Sequence, residues 1–423
     1  MKIAILTIGD ELLNGDLADT NTAAIARILM DNSLPVREAA TISDRVEDIV
    51  ATLQRLARTH DAVLATGGLG PTEDDRTARA AARAFERPLS LNDKALLQIR
   101  ARFRAWNREM HPRNEKQALL PGRSNVIANK NGTAPGFHLQ SNQCDLFFLP
   151  GVPQEMLAML EEYVLPSLLD RFPNLPLQCQ RVMTVFGLAE PDVETRINRN
   201  GLPEGVELAF NVELPIVQVK LRARGENAQK QVDRAELAVR KTLGDYVLGI
   251  GDDTLASSTA RMLSTAGMTL SLAESCTGGL ISKLLTDQAG SSAFLERSIV
   301  SYANSAKVNS LNVAQEILDR YGAVSAECAK AMVKGVHAAA RTDISLAVTG
   351  VAGPDGGTDD KPVGTVYLAM ISPGGERVER FNFSGNRDQV RLRTACTALD
   401  WIRRQAISRL TGTSRLSDDG QEG

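Results

Sequence analysis

The chain has 423 residues, too many for one ordinary core at roughly 100 to 200 residues per domain, so several domains are expected. Its 51 Asp and Glu nearly balance 48 Lys and Arg, which excludes an overall basic field that would recruit nucleic acid or an anionic membrane. The five cysteines, Cys144, Cys179, Cys276, Cys328 and Cys396, are scattered and odd in number, which suits neither a disulfide framework nor a CxxC metal site and fits a reducing compartment.

From the start, Ile3 to Ile8 reads as a strand, Asn21 to Asp31 as a helix and Val36 to Ile42 as a second strand. Val46 to Ala57 then reads as a helix and Ala62 to Thr66 as a third strand. The alternation predicts an open, mainly parallel α/β sheet, whose ligands sit beyond the carboxyl ends of the strands. Two polar loops fall there and should face one another, Gly9 to Gly15 and Gly67 to Asp75. The second joins Gly67, Gly68 and Gly70, which let backbone approach a phosphate, to Asp74 and Asp75, which can hold a divalent cation at a helix start. Neither GxxxxGK[ST] nor GxGxxG is present, and a tight turn with acidic residues meeting a helix dipole is the plainer alternative. Lys116 can serve an anion, although a lone lysine is usually a solvated surface charge. Asn131 to Gly136 is a further glycine-rich loop, and strand Leu146 to Leu149 feeds Pro150 to Pro153 and a helix from Gln154.

The pattern breaks between Pro166 and Pro176, and a small α+β module follows. Arg181 to Gly187, Val206 to Leu214 and Ile216 to Arg224 read as strands, Pro191 to Arg199 and Ala228 to Leu243 as helices, and Tyr246 to Ile250 as a last strand. Acidic and basic residues balance here, so the footprint of an RNA-binding module is missing and a spacer or dimerisation role fits better. Gly251 to Thr254 then caps a helix ending near Gly267, which opens a third domain.

In that domain Met268 to Leu272 reads as a buried strand, and Leu280 to Leu285 as a helix. Between them lies Ala273-Glu274-Ser275-Cys276-Thr277-Gly278-Gly279. A hydroxyl at a strand-to-helix turn, beside two glycines with free backbone N–H groups, suits acyl transfer; a helix start capped by Ser275 or Thr277 fits the same residues. Downstream, Ser298 to Tyr302 reads as a strand with Asn304 as a helix cap, and Val324-Ser325 precedes a long helix to about Ala340. Ile344 to Val348 leads into the loop Gly350 to Gly357, and Thr365 to Ile371 pairs with Arg377 to Phe383 as a hairpin across Gly374-Gly375. A helix from about Arg387 ends the domain.

A serine nucleophile needs a base, and none of the four histidines lies in a glycine-rich loop of this domain. Lysine can do the work when neutral, and Lys307, read as the third residue of its helix, meets a dipole that opposes an ammonium. Tyr302, at the strand end, can steady the proton. Each residue alone has an ordinary explanation, packing for the tyrosine and surface charge for the lysine.

The chain resembles, along nearly all its length, the CinA-like competence and damage-inducible proteins. The N-terminal residues that carry this are GDELLNGDLADTN (Gly9 to Asn21), TGGLGPTEDDRT (Thr66 to Thr77), NGTAPGF (Asn131 to Phe137) and LPGVPQEM (Leu149 to Met156). The C-terminal ones are AESCTGG, AGSS (Ala289 to Ser292), SYANSAK (Ser301 to Lys307), GAVS (Gly322 to Ser325), GVAGPDGG and KPVGTV (Lys361 to Val366). The resemblance implies a molybdopterin-binding-like open sheet over residues 1–170 and a KH-like α+β spacer or dimerisation module over 171–252. It implies an α/β nicotinamide mononucleotide amidase domain over 253–412, and residues 413–423 read as a disordered tail. It assigns Ser275 as nucleophile with Tyr302 and Lys307 as its activating pair. Substrate-binding candidates are Glu274, Thr277, Gly278, Gly279, Gly353, Asp355, Gly356 and Arg387. Glu11, Asn21, Gly67, Gly68, Gly70 and Lys116 make the N-terminal ligand site, with Asp74 and Asp75 for a metal.

The expected activity is hydrolysis of nicotinamide mononucleotide to nicotinic acid mononucleotide and ammonia in pyridine nucleotide recycling, without a cofactor. The alternatives are a metal-dependent ADP-ribose pyrophosphatase, as reported for some members, a pterin-type binding module, and a non-enzymatic competence-related factor. A homodimer is expected, without membrane or direct nucleic-acid partners. Asp10 and Glu11 interrupt the apolar start before a secretory segment forms, and no apolar stretch is long enough to span a membrane, so a cytoplasmic location is expected.

Overall fold

The computed structural model describes residues 1–141, 143–173 and 175–412; the tail read above as disordered lies outside the described residues. The protein is of mixed α/β class and divides into two compact units, Met1–Gln180 with Arg222–Lys230, and Arg181–Leu221 with Gln231 onward. Among the described residues no helix is long and apolar enough to cross a membrane.

The first unit opens with β1 (Ile3–Ile8), α1 (Asp10–Leu13), α2 (Thr20–Asp31), β2 (Val36–Ile42), α3 (Val46–Thr59), β3 (Ala62–Thr66) and α4 (Thr77–Ala84). It continues with β4 (Leu89–Leu91), α5 (Asp93–Ala105), β5 (Leu119–Pro121), β6 (Asn125–Ile127), β7 (Gly136–Ser141), β8 (Cys144–Leu149), α6 (Pro153–Met159) and α7 (Leu165–Arg171). Its six-stranded sheet runs β2-β1-β3-β8-β7-β6, parallel from β2 to β8 and antiparallel beyond. The central strands β1, β3 and β8 are buried at every residue, as helices on both faces require, while edge strand β2 alternates. The first polar loop differs from expectation, because Asp10 to Leu13 closes a helical turn there.

The middle of the chain holds β9 (Gln178–Phe186), α8 (Glu190–Asn200), β10 (Val206–Glu213), β11 (Ile216–Arg224), α9 (Ala228–Leu243) and β12 (Val247–Ile250), with sheet order β10-β11-β9-β12.

The remainder holds α10 (Leu255–Ala266), β13 (Leu270–Glu274), α11 (Leu280–Thr286), β14 (Leu295–Val300), α12 (Asn304–Leu311), α13 (Gln315–Tyr321) and α14 (Ala326–Ala340). It ends with β15 (Ile344–Gly350), the hairpin β16 (Thr365–Ser372) and β17 (Gly375–Asn382), and α15 (Arg387–Thr411). The sheet order is β14-β13-β15-β16-β17, with β14, β13 and β15 parallel. Thr254 and Ser257 form a reciprocal capping box at the start of α10, and Gly267 ends that helix at φ 61°. Met268 returns its amide to the Leu263 carbonyl, so it belongs to the helix cap; β13 therefore begins at Leu270, later than the apolar run suggests. Likewise β14 ends at Val300, before Tyr302.

The two faces of this sheet differ in side-chain size. Leu270, Leu272, Leu346, Val348, Leu368 and Met370 pack on one side with Leu399 and Ile402 of α15. Ala273, Ala347 and Ala369 face the other side, and these small residues let α14 lie close against the sheet. A Cβ at Gly335 of α14 would stand 1.9 Å from the Leu311 carbonyl at the end of α12. Gly335→Ala is therefore expected to push α12 outward and cost about 1–3 kcal/mol of stability, measured by urea unfolding. An unchanged midpoint would show that the contact yields without cost.

Candidate active site

The end of β13 presents Ser275 at a turn that holds its shape through backbone contacts. The Ser275 amide donates to the Val348 carbonyl (3.0 Å), the Gly278 amide donates to the Ser275 carbonyl (3.0 Å), and the Ser301 amide donates to the Glu274 carbonyl (2.8 Å). Gly278 (φ 59°) and Gly279 (φ 90°) lie in the left-handed region, which residues with a Cβ adopt at a cost. With the Gly278 amide engaged, the amides of Cys276, Thr277 and Gly279 donate to no backbone carbonyl in the turn, and those of Cys276 and Thr277 lie against the Cys276 sulfur. This corrects the expectation that both glycines offer free N–H groups, since the Gly278 amide is engaged.

Lys307 is 1% exposed and Ser275 is 7% exposed. The lysine Nζ lies 3.0 Å from Ser275 Oγ, 2.8 Å from the Ser301 carbonyl and 3.1 Å from the Tyr302 carbonyl. Burial holds its pKa below the ordinary 10.5. The nearby thiols bring little compensating charge, since burial pushes Cys276 up to about 12 and raises Cys328 also. The cause differs from the one read in the sequence. Ala303 rather than Asn304 is the N-cap, and Lys307 is the fourth helical residue with its own amide bonded to Ala303. Desolvation, more than the helix dipole, sets the amine.

Tyr302 meets Lys307 through its carbonyl; the residue is 60% exposed, and its phenol accepts from Arg387 Nη2 (2.8 Å). The side chain expected to steady the lysine's proton thus points to the mouth of the site. Arg387 also donates from Nη1 to the Gly353 carbonyl (2.6 Å), which joins the Gly353 loop to Tyr302. One turn along α15, Arg391 donates to the Thr277 carbonyl from Nη2 (2.9 Å). Sequence reading missed Arg391, although its spacing of four from Arg387 places both on one helical face. Asp355 and Gly356 lie exposed on the Gly353 loop.

Glu274 was read as a substrate contact, and the structure places it otherwise. It is fully buried, accepting from the Ile281 amide (3.1 Å), the Ser282 amide (2.8 Å) and the Ser282 hydroxyl. Strand alternation explains this, because Glu274 points to the face opposite Ser275 and ties α11 to the end of β13. Glu274→Ala is expected to lower stability by about 2–3 kcal/mol, since it strands two amides in the core. A smaller loss in chemical denaturation would mean that water reaches them.

In the N-terminal unit, Asn21 donates to Thr66 Oγ1 (3.2 Å) and the Gly151 carbonyl (2.8 Å), and its own Oδ1 is buried without a partner among the described residues. Gly67 (φ 108°) accepts at its carbonyl from the Thr77 hydroxyl (2.8 Å), and a Cβ there would stand 2.2 Å from the Ile8 carbonyl. The two loops do adjoin. Gly68, Gly70, Asp75 and Lys116 line a cleft of about 690 Å³ with Arg76 and Arg79. Glu11, Asn21 and Gly67 are not among its lining residues. Lys116 donates to the Thr72 carbonyl.

The expected metal pair does not form a ligand set. Asp75 turns back to accept from the Thr72 amide (2.8 Å) and hydroxyl (2.5 Å), whereas Asp74 is exposed. Among the described residues no three His, Cys, Asp or Glu side chains converge as a metal site. Burial and then Asp10 raise the Asp44 carboxyl, with Asp74 and Glu11 adding to the repulsion and the Arg76 guanidinium partly offsetting it.

Residues 252–406 match the model of the CinA C-terminal domain, and residues 4–170 match that of the probable molybdopterin binding domain. A CinA-like protein of Syntrophotalea carbinolica is 55% identical over 96% of this chain and 98% of its own length. One from Geobacter sulfurreducens is 50% identical over 96% of this chain and all of its own length. The crystal structure of the competence/damage inducible protein CihA from Agrobacterium tumefaciens is 40% identical, with a TM-score of 0.35, and covers 36% of this chain and 93% of that one.

Proposed function

The chain belongs to the CinA-like family, and we propose that it hydrolyses nicotinamide mononucleotide to nicotinic acid mononucleotide and ammonia. The carrying observation is the set of three oxygens around the Lys307 amine. A neutral amine has two N–H donors and one lone pair. The Ser301 and Tyr302 carbonyls can only accept, so they take the two donors, and the lone pair is left for the Ser275 hydroxyl. Burial favours that neutral form. The substrate comes from the amidase motifs rather than from the geometry.

In this mechanism Ser275 Oγ attacks the carboxamide carbon as its proton passes to Lys307. The amides of Cys276, Thr277 and Gly279 are the candidates to receive the oxyanion. As the tetrahedral intermediate collapses, the C–N bond breaks and the Lys307 ammonium returns the proton to the departing nitrogen, releasing ammonia. Water, deprotonated by the same amine, then cleaves the acyl ester and frees the acid and Ser275. Arg387 and the Gly353 loop would hold the ribose phosphate, a reading supported by the bond from Arg387 to the Gly353 carbonyl.

Incubating the purified full-length protein with nicotinamide mononucleotide, and separately with ADP-ribose with and without a divalent metal, tests this. Ammonia and nicotinic acid mononucleotide are expected from the first without metal. Turnover of ADP-ribose alone would overturn the reading in favour of pyrophosphate hydrolysis. A homodimer and a cytoplasmic setting belong to the same proposal; sedimentation and fractionation would test them.

A further inference from the structure

The three buried side-chain hydroxyls that lack a hydrogen-bond partner among the described residues are those of Thr277, Ser301 and Thr365. All three lie at the sheet edge that carries Ser275. Glu274 pairs with Val300, so the next step of the ladder sets Ser275 beside Ser301, and the Ser301 amide does donate to Glu274. Ala273 and Ile299 both pack on the face toward α14, so their i+2 neighbours, Ser275 and Ser301, share that face. Thr365 shares it as well, being two residues before Tyr367. Hydroxyls so fully enclosed normally find a partner within the protein.

We propose that the Ser301 hydroxyl is a specificity group for the carboxamide nitrogen, accepting one of its N–H bonds in the amidase reaction proposed above. Of the three hydroxyls it is the one whose own carbonyl holds the Lys307 amine, at 2.8 Å. A nitrogen bound there stands beside the group that must protonate it as ammonia leaves. The oxyanion goes to the backbone amides of the turn, and the nitrogen to the opposite, Ser301 side. The product carboxylate has no N–H to offer, so the hydroxyl can no longer accept from it and must turn to donate instead. The inference rests on the amidase reading and adds the residue that distinguishes an amide from other acyl derivatives.

The test compares wild type with Ser301→Ala on nicotinamide mononucleotide and on its analogue in which a methyl ester replaces the carboxamide. The ester has no N–H for the hydroxyl to accept, so the variant should lose far less on the ester than on the amide. On the amide, kcat/KM should fall by about ten- to a hundredfold, the effect of one lost hydrogen bond in a closed site. Melting temperature should hold or rise, because an unpartnered buried hydroxyl gives way to a methyl group. Equal loss on both substrates, or undiminished amide turnover, overturns the role of Ser301. Wild-type protein inert toward both substrates overturns the amidase reading itself, and this inference with it.

Discussion

Ser275→Ala is expected to lower ammonia release from nicotinamide mononucleotide by about 10⁴- to 10⁶-fold, because covalent catalysis loses its nucleophile and leaves the base without a function. The residual rate would come from binding and the oxyanion donors alone. Stability should change little, since the hydroxyl has one side-chain partner, the Lys307 amine, which keeps both carbonyls as acceptors. The measurement is single-turnover ammonia release with the fold checked by circular dichroism. A folded variant that keeps near-normal turnover would remove Ser275 from the mechanism.

Lys307→Met should lower turnover by about 10³- to 10⁴-fold, with the serine present and no base to take its proton. On the proposed mechanism the working lysine is neutral, so kcat/KM should rise with pH through a midpoint below 10.5, the ordinary value, and then level off. A rate that falls over that range would contradict a neutral-amine base. The same shift has a stability consequence of opposite origin. The folded state binds its proton less tightly than the unfolded chain, so between the depressed pKa and 10.5 the unfolded chain carries more protons. Stability from this group therefore increases with pH through that window, and the cost of burying the ammonium is felt below it. Loss of that pH dependence in Lys307→Met would identify the lysine as its source.

Much of the fold was legible because local signals and tertiary structure agree. The parallel strands β1, β3, β8, β13 and β15 are buried on both faces, so they read as continuous apolar runs. Thr254, Gly267 and Ser325 act as caps where their residue types indicate. Errors fell where a backbone bond outweighs residue type: Ala303 caps α12 although Asn304 is adjacent, and Met268 closes α10 although it looks like a strand start.

The site divides in the same way. By itself the sequence offered Ser275 at a strand-to-helix turn and Lys307 in the first turn of a later helix as candidates, since residue type and period are local properties, and the resemblance assigned their roles together with Tyr302. Tertiary structure alone decided that their atoms lie 3.0 Å apart, that burial rather than a dipole tunes the amine, and that the lysine meets the carbonyl of Tyr302 and not its phenol. It also turned Glu274 into a helix anchor, brought Arg391 to the Ser275 turn and left the Ser301 hydroxyl without a partner among the described residues. Those outcomes depend on which strands become neighbours and in what register, and on how much water the packed helices exclude. No window of sequence carries that information, because the partners are tens of residues apart along the chain.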